Sequence, residues 1–319
     1  MTVYLINIFL ILFWGFIFLY NQNSDRNKKI YCVLVALQWI IISGLRHISI
    51  GTDTEAYKYS FEQVKSMPWS KVFSNIWDCL FHGLEIKDPG YNLFQKFFQI
   101  FSNDYQVYLV FIALLFTSFM AVWIYKNSSD PCFSFILYSV LFYSFYAVTG
   151  HRQTIATALV VFLGYKYIKE RKFVKFAILA FLAFLIHKSS IMFVPFYFIA
   201  NIPITPLYVI AALIIIIIIS IMGKSFYGPV AEALGFAEEQ IDYAGGGAET
   251  YALVLTVMCI VILCFYYFYK NRTDNATRFF NITLLTLMSS LLVFQNQSHS
   301  LHLQMLKVRN IIYQILYNL

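Results

Sequence analysis

Apolar residues in this chain come in long blocks, not in the one-faced stripes of a water-soluble helical protein. The blocks occupy residues 3–20, 30–45, 105–125, 132–149, 154–168, 173–187, 190–202, 207–222, 251–269 and 279–294. A helix rising about 1.5 Å per residue needs roughly 20 apolar residues to cross ~30 Å of hydrocarbon, and in lipid only helices and closed barrels satisfy their own backbone groups. The blocks therefore predict transmembrane helices, the shorter ones completed by snorkelling lysines and flanking aromatics. The expected fold is an all-α, polytopic integral membrane bundle of about ten helices, forming a single domain over residues 1–294.

Polar residues set the connections. Residues 46–104 form a long segment that mixes charge with apolar and aromatic positions, as in Trp69-Ser70-Lys71-Val72-Phe73-Ser74-Asn75-Ile76-Trp77 and Tyr91-Asn92-Leu93-Phe94-Gln95-Lys96-Phe97-Phe98. These read as amphipathic helices lying at the membrane interface. A second long connection, 223–250, is acidic and ends in Ala244-Gly245-Gly246-Gly247-Ala248, which suits either a hinged flap or a plain solvated connector. Gln295–Leu319 is a polar and then weakly amphipathic tail.

Basic residues orient the bundle. With the N-terminus outside, the cytoplasmic connections hold Arg26, Lys28, Lys29, Lys126, Lys166, Lys169, Arg171, Lys172, Lys175, Lys270, Arg272 and Arg278, which is 12 of the 23 Lys and Arg residues. The short outer connections carry only Arg152, Lys188 and Lys224, so the positive-inside rule selects this orientation. Met1 to Tyr20 has neither a basic leader nor a small-residue cleavage site, and it reads as the first span of a multi-pass protein of the cytoplasmic membrane.

Composition agrees with the pattern and narrows the function. Of 319 residues, 60% are hydrophobic, 19% aromatic and only 12% charged, against about a quarter charged in a soluble domain. The net charge of +7 is dispersed between apolar blocks and does not gather into a nucleic-acid footprint. Neither the five cysteines nor the six histidines have a disulfide or metal-ligand spacing, and no metal or cofactor is expected.

Chemistry-bearing residues gather at the outer helix ends. They are Arg46, His47 and Gly51-Thr52-Asp53-Thr54; Asp88-Pro89-Gly90-Tyr91; Gly150-His151-Arg152-Gln153; and His187-Lys188-Ser189-Ser190. Arg152 and the Lys188-Ser189 pair begin helices on the side where positive charge is disfavoured. Helix starts offer unpaired N–H groups and a positive dipole end, so a pyrophosphate would fit there. Guanidinium forks grip phosphate bidentately, which singles out Arg46 and Arg152; the competing reading has each cation meeting a lipid headgroup or an acidic neighbour. Asp53 and His187 are the proton-handling candidates. Asp53 also suits a turn or helix cap, His187 a hydrogen bond to Ser190, and Asp88-Pro89-Gly90 a turn before an amphipathic helix.

Taken in order, Gly44-Leu45-Arg46, Gly51-Thr52-Asp53-Thr54-Glu55-Ala56-Tyr57, Asp88-Pro89-Gly90-Tyr91, His151-Arg152-Gln153-Thr154-Ile155-Ala156 and His187-Lys188-Ser189-Ser190-Ile191 resemble the EpsG-like branch of the Wzy-type bacterial polysaccharide polymerases. The hydrophobic layout is similar from residue 1 to 294. The resemblance implies a metal-independent glycosyltransferase. It would join oligosaccharide units carried on undecaprenyl pyrophosphate into surface polysaccharide outside the bacterial cytoplasmic membrane, alongside flippase and chain-length regulator proteins. It places Arg46, Arg152, Gln153, Lys188 and Ser189 on the pyrophosphate or glycan, and Asp53 or His187 on the acceptor hydroxyl. Beyond Phe294 the family commonly continues with an arginine-bearing hydrophobic segment, so an altered or shortened C-terminus is expected.

Two other classes compete. A transporter or flippase of lipid-linked oligosaccharide would place polar groups or broken helices at the midplane, often in repeated halves, whereas these blocks are nearly free of ionisable residues and show no repeat. Another glycan-modifying transferase, such as an acyltransferase, would need a cytoplasmic acyl-donor site, and the cytoplasmic connections are short and lack histidine.

Overall fold

The computed structural model describes residues 2–20, 24–51, 53–84, 86–141, 144–212, 214–215, 274, 277, 278 and 280–282, and among these every regular element is helical. The expected 223–250 flap, the 251–269 span and the tail lie outside the described residues, as do Thr52 and Glu85. The chain forms two compact units, one ending at Phe193 and the other beginning at Val194.

The first unit opens with α1 (Thr2–Phe18) and α2 (Asp25–Gly44). Ser24 starts α2 by accepting from the Asn27 amide, and Asp25 lies in its first turn, where a carboxylate suits the helix dipole. The two helices share a buried polar contact, the Gln38 amide donating to Asn7 Oδ1 at 3.2 Å. Such bonds fasten helices where lipid offers no competing partner. Leu5, Ile6, Phe9, Leu12, Phe13 and Phe16 cover the exposed side of α1.

The longest helix is α6 (Tyr105–Asn127), started by Asp104, whose carboxylate accepts from the Gln106 and Val107 amides. It packs along α2, and Tyr31, Trp39, Tyr108 and Ile124 are buried on these two helices. Among the described residues α6 is the one helix long and apolar enough to cross a bilayer by itself; Thr2–Phe18, Pro131–Val140 and Phe173–Ile186 are shorter apolar helices. The expected count of ten crossings thus rests on the sequence.

Between α2 and α6 the long polar segment is mostly helical: α3 (Thr54–Ser66), α4 (Trp69–Phe81) and α5 (Pro89–Phe98). It folds down onto the bundle. Phe61 is fully buried against Phe98, Tyr105 and Tyr108, while Gln99 donates to the Phe61 carbonyl at 2.7 Å and the Lys96 ammonium to the Val64 carbonyl at 3.1 Å. On α4, Trp69, Phe73, Trp77 and Phe81 recur every four residues and stay exposed, the arrangement of an interfacial helix.

The helix α7 (Pro131–Leu141) leads to a π-helical turn, Ser144–Thr149. Carbonyls near the end of that turn accept from other elements: Ser43 Oγ donates to Ala147 O at 2.6 Å, and Thr54 Oγ1 lies 3.4 Å from Val148 O. Next comes a continuous helical run, α8 (His151–Thr157), a π-helical stretch (Ala158–Leu163) and α9 (Gly164–Lys169). Then α10 (Phe173–Ile186) ends at His187, before a 3₁₀ turn over Lys188–Phe193. The apolar block 190–202 predicts one span. Its first residues belong to this 3₁₀ turn, and a short α11 (Val194–Ile199) begins the second unit. Within that unit the buried Asn281 amide donates to Ile199 O at 2.7 Å and Ile202 O at 3.0 Å, and Arg278 Nε donates to Asn201 Oδ1 at 2.7 Å.

Candidate functional site

Four elements deliver polar side chains to one end of the first unit: the end of α2, the start of α5, the start of α8 and the end of α10. Local anchors hold them there. Tyr105 OH donates to Thr54 O at 3.0 Å, the Gln106 amide caps Gly44 O, and Thr54 Oγ1 donates to Ile50 O at 2.7 Å. Gly51 has φ +101°, and a Cβ there would meet Val148 O at 2.9 Å, so only glycine suits this bend.

Asp88 is the hub of the cluster. Its carboxylate accepts from Arg152 Nη1 at 2.8 Å, from His187 Nδ1 at 3.1 Å and from the Lys188 backbone N–H at 3.3 Å. The residue is 4% exposed, and its backbone is left-handed at φ 49°, ψ 58°. Burial acts to raise its pKa, but the hydrogen bond and charge of His187, then Arg152 and the Lys188 amide, outweigh that and hold it below the ordinary aspartate value. It is a carboxylate, not an acid. The approach of α5 to α10 that brings it there depends on Gly90, because a Cβ on that residue would lie 2.6–2.7 Å from Leu185 Cβ, C and O. Backbone atoms cannot step aside. Gly90→Ala is expected to lower stability by about 1–3 kcal/mol, the usual effect of overpacking, and to separate Asp88 from His187. A thermal-unfolding comparison in detergent checks the first part, and wild-type stability would mean that α5 and α10 have room to spare.

Arg46 and His151 form the second half of the cluster. The Arg46 guanidinium is 7% exposed and donates through Nη1 to Ser43 O and through Nη2 to His151 Nε2. Guanidinium can only donate, so His151 Nε2 accepts and its proton sits on Nδ1. Burial, then the charges of Arg46 and Arg152, push this imidazole well below the ordinary histidine range, which agrees with a neutral ring. His151 stacks on Tyr57 at 4.3 Å between centroids, and the Arg152 guanidinium lies 5.5 Å from the same Tyr57 ring. No carboxylate of the described residues pairs with Arg46. A buried charge without a partner costs several kcal/mol. Two guanidiniums against one carboxylate leave this site with a positive excess that an anion would neutralise.

The residues singled out in the sequence fall into different positions. Arg46 turns its fork towards Ser43 and His151. Arg152 and His187 stand together on Asp88, with Arg152's side chain 21% exposed. Lys188 contributes its backbone N–H to the hub. Gln153 is half-buried beside Arg152, and Ser189 lies in the 3₁₀ turn. Asp53 is exposed, directly before α3, and its side chain makes no capping hydrogen bond there. His47 and His82 bond locally to Ser49 and Asp78 at the surface. Among the described residues no group of His, Cys, Asp and Glu could hold a metal ion.

Three residues of the cluster had no role in the sequence reading: Asp88, His151 and Tyr57. Asp88-Pro89-Gly90 carried the signature of a turn, and its partners are 64 and 99 residues away. The available signal was that Asp88 and Asp53 are the two aspartates among the outer motifs, and that Gly90 follows Asp88 closely enough to let another element touch it.

The fold and site are those of an all-helical protein, among its described residues, with a buried, cation-rich polar cluster at the ends of its helices. The EpsG family model matches residues 28–318, and the chain belongs to that family, whose proteins are membrane polymerases of polysaccharide. The match runs through residues 295–318 of the tail. No curated protein and no solved structure matches the chain.

Proposed function

We propose that this protein polymerises oligosaccharide units linked to undecaprenyl pyrophosphate, on the outer face of the cytoplasmic membrane, into a surface polysaccharide. The observation that carries the reading is the unbalanced charge of the cluster: Arg46 buried without a carboxylate, next to Arg152 on the His151 helix start. Catalysis of glycosyl transfer from a lipid pyrophosphate depends on stabilising the charge that develops on the departing phosphate, and preorganised donors in a water-poor site do this best. Arg152 meets the pyrophosphate, with Lys188, Ser189 and Gln153 around it. Arg46 supplies field from behind and fixes His151. His187 takes the proton of the acceptor hydroxyl, and the reaction proceeds without a metal. The exposed aromatic face of α4 seats the outer segment in the membrane interface, close to where a polyprenyl-linked substrate enters.

Deletion of the gene with analysis of lipid-linked glycan tests the proposal. Single repeat units accumulating on the outer leaflet support it; accumulation on the inner leaflet indicates a flippase instead, and an unchanged profile removes the protein from this pathway.

A further inference from the structure

We propose that Asp88 is the positioning residue of the site: one carboxylate fixes the His187 ring with its proton on Nδ1, making Nε2 the proton acceptor, and holds Arg152 beside it. The assignment of hydroxyl and leaving group rests on the polymerase reading; the fixing of the ring does not.

The geometry leaves little freedom. Asp88 Oδ2 receives both Arg152 Nη1 and His187 Nδ1, at 2.8 and 3.1 Å, while Oδ1 receives the Lys188 N–H. An ionised carboxylate has no proton to give, so each nitrogen facing it must be a donor. For His187 this selects the Nδ1–H form and leaves the basic lone pair on Nε2. The carboxylate is almost wholly buried, so water does not substitute for it. Its place is set by packing, since Gly90 rests directly against Leu185, two residues before His187. Asp53, exposed and without such a partner, lacks every one of these constraints.

The same arrangement couples both halves of a glycosyl transfer. As the acceptor oxygen bonds to the donor's anomeric carbon, the bond from that carbon to the pyrophosphate oxygen breaks. The hydroxyl proton passes to His187 Nε2, and the pyrophosphate leaves with the bonding electron pair and its charge facing Arg152. The imidazolium so formed lies against the Asp88 carboxylate, and a solvent base later removes its extra proton. Arg152 and His187 therefore cannot drift apart without breaking contact with Asp88.

The test reads the ring directly. Full-length protein labelled with ¹⁵N-histidine is placed in lipid bilayers, and the His187 signals are assigned by their loss in His187→Gln. Spectra are recorded with rising pH until the ring is neutral. The expected result is a protonated Nδ1 and an unprotonated Nε2 in the wild type, with Asp88→Ala moving the proton towards Nε2, the form that an unconstrained histidine side chain prefers. A wild-type ring protonated on Nε2 overturns the proposal, and that arm needs no variant to fold. A ring that keeps Nδ1–H in a folded Asp88→Ala protein also overturns it, because Asp88 would then serve packing alone. Loss of the polymerase reading in the deletion experiment would leave the ring result standing, so the two can fail separately.

Discussion

Replacing His187 with alanine is expected to lower polymer formation by about 10²-fold or more at unchanged protein abundance, the scale typical of a general acid–base group. Asp53→Asn is expected to stay near normal. The sequence could not choose between the two, and the structure separates them by environment: His187 is largely buried and held by Asp88, whereas Asp53 is exposed. The comparison is made on gels of glycan length, with lipid-linked single units quantified at matched membrane levels. Near-normal polymer from His187→Ala would take the proton from this ring, and a collapse in Asp53→Asn would return it to the exposed carboxylate. The pH dependence has a definite sign. Asp88's folded pKa is depressed, so the stability it contributes is present above the unfolded aspartate value and is lost as pH falls through the folded one. The Asp88 carboxylate therefore stays ionised across the neutral and mildly acidic range, and loss of polymer on mild acidification would have to arise from a group other than Asp88.

Arg152→Lys is expected to fail almost as badly as Arg152→Ala, each losing roughly 10²- to 10³-fold, as when one preorganised donor to a developing anion is removed. Three tasks fall to this guanidinium at once in the proposed reading: Nη1 bonds Asp88, the group lies 5.5 Å from the Tyr57 ring, and its charge meets the phosphate. A lysine ammonium is a point charge with no planar fork and cannot reproduce the set. Glycan length in both variants, beside the amount of unpolymerised lipid-linked unit, decides the matter. Full-length polymer from the lysine variant would make Arg152 a structural or topological cation and leave phosphate recognition to other groups.

Helix type was legible from the blocks of apolar residues, and the positions of α1, α2, α6 and α10 follow them within a few residues. Helices within 46–104 were legible too, because Trp69 to Trp77 and Tyr91 to Phe98 alternate polar and apolar faces at helical spacing. What the pattern hid was tertiary. Arg46 and Arg152 looked alike as outer cations, yet one is enclosed by Ser43 and His151 while the other rests on a carboxylate. Lys188-Ser189 looked like the first turn of a span, but the chain tightens there into a 3₁₀ turn. The π-helical stretches of 144–149 and 158–163 leave no mark in hydropathy, since an added residue in a helix changes its winding and not its composition.

The left-handed backbone of Asp88 sets local strain against the bonding of the hub. A left-handed conformation costs an ordinary residue about 1–2 kcal/mol relative to glycine, with aspartate among the side chains that tolerate it best. Glycine at residue 88 would relieve that strain but leave Arg152, His187 and the Lys188 N–H without their acceptor, which costs more than it recovers. Stability and function therefore select the same residue here, and a hardened version of the protein is best sought on faces remote from α5 and α10.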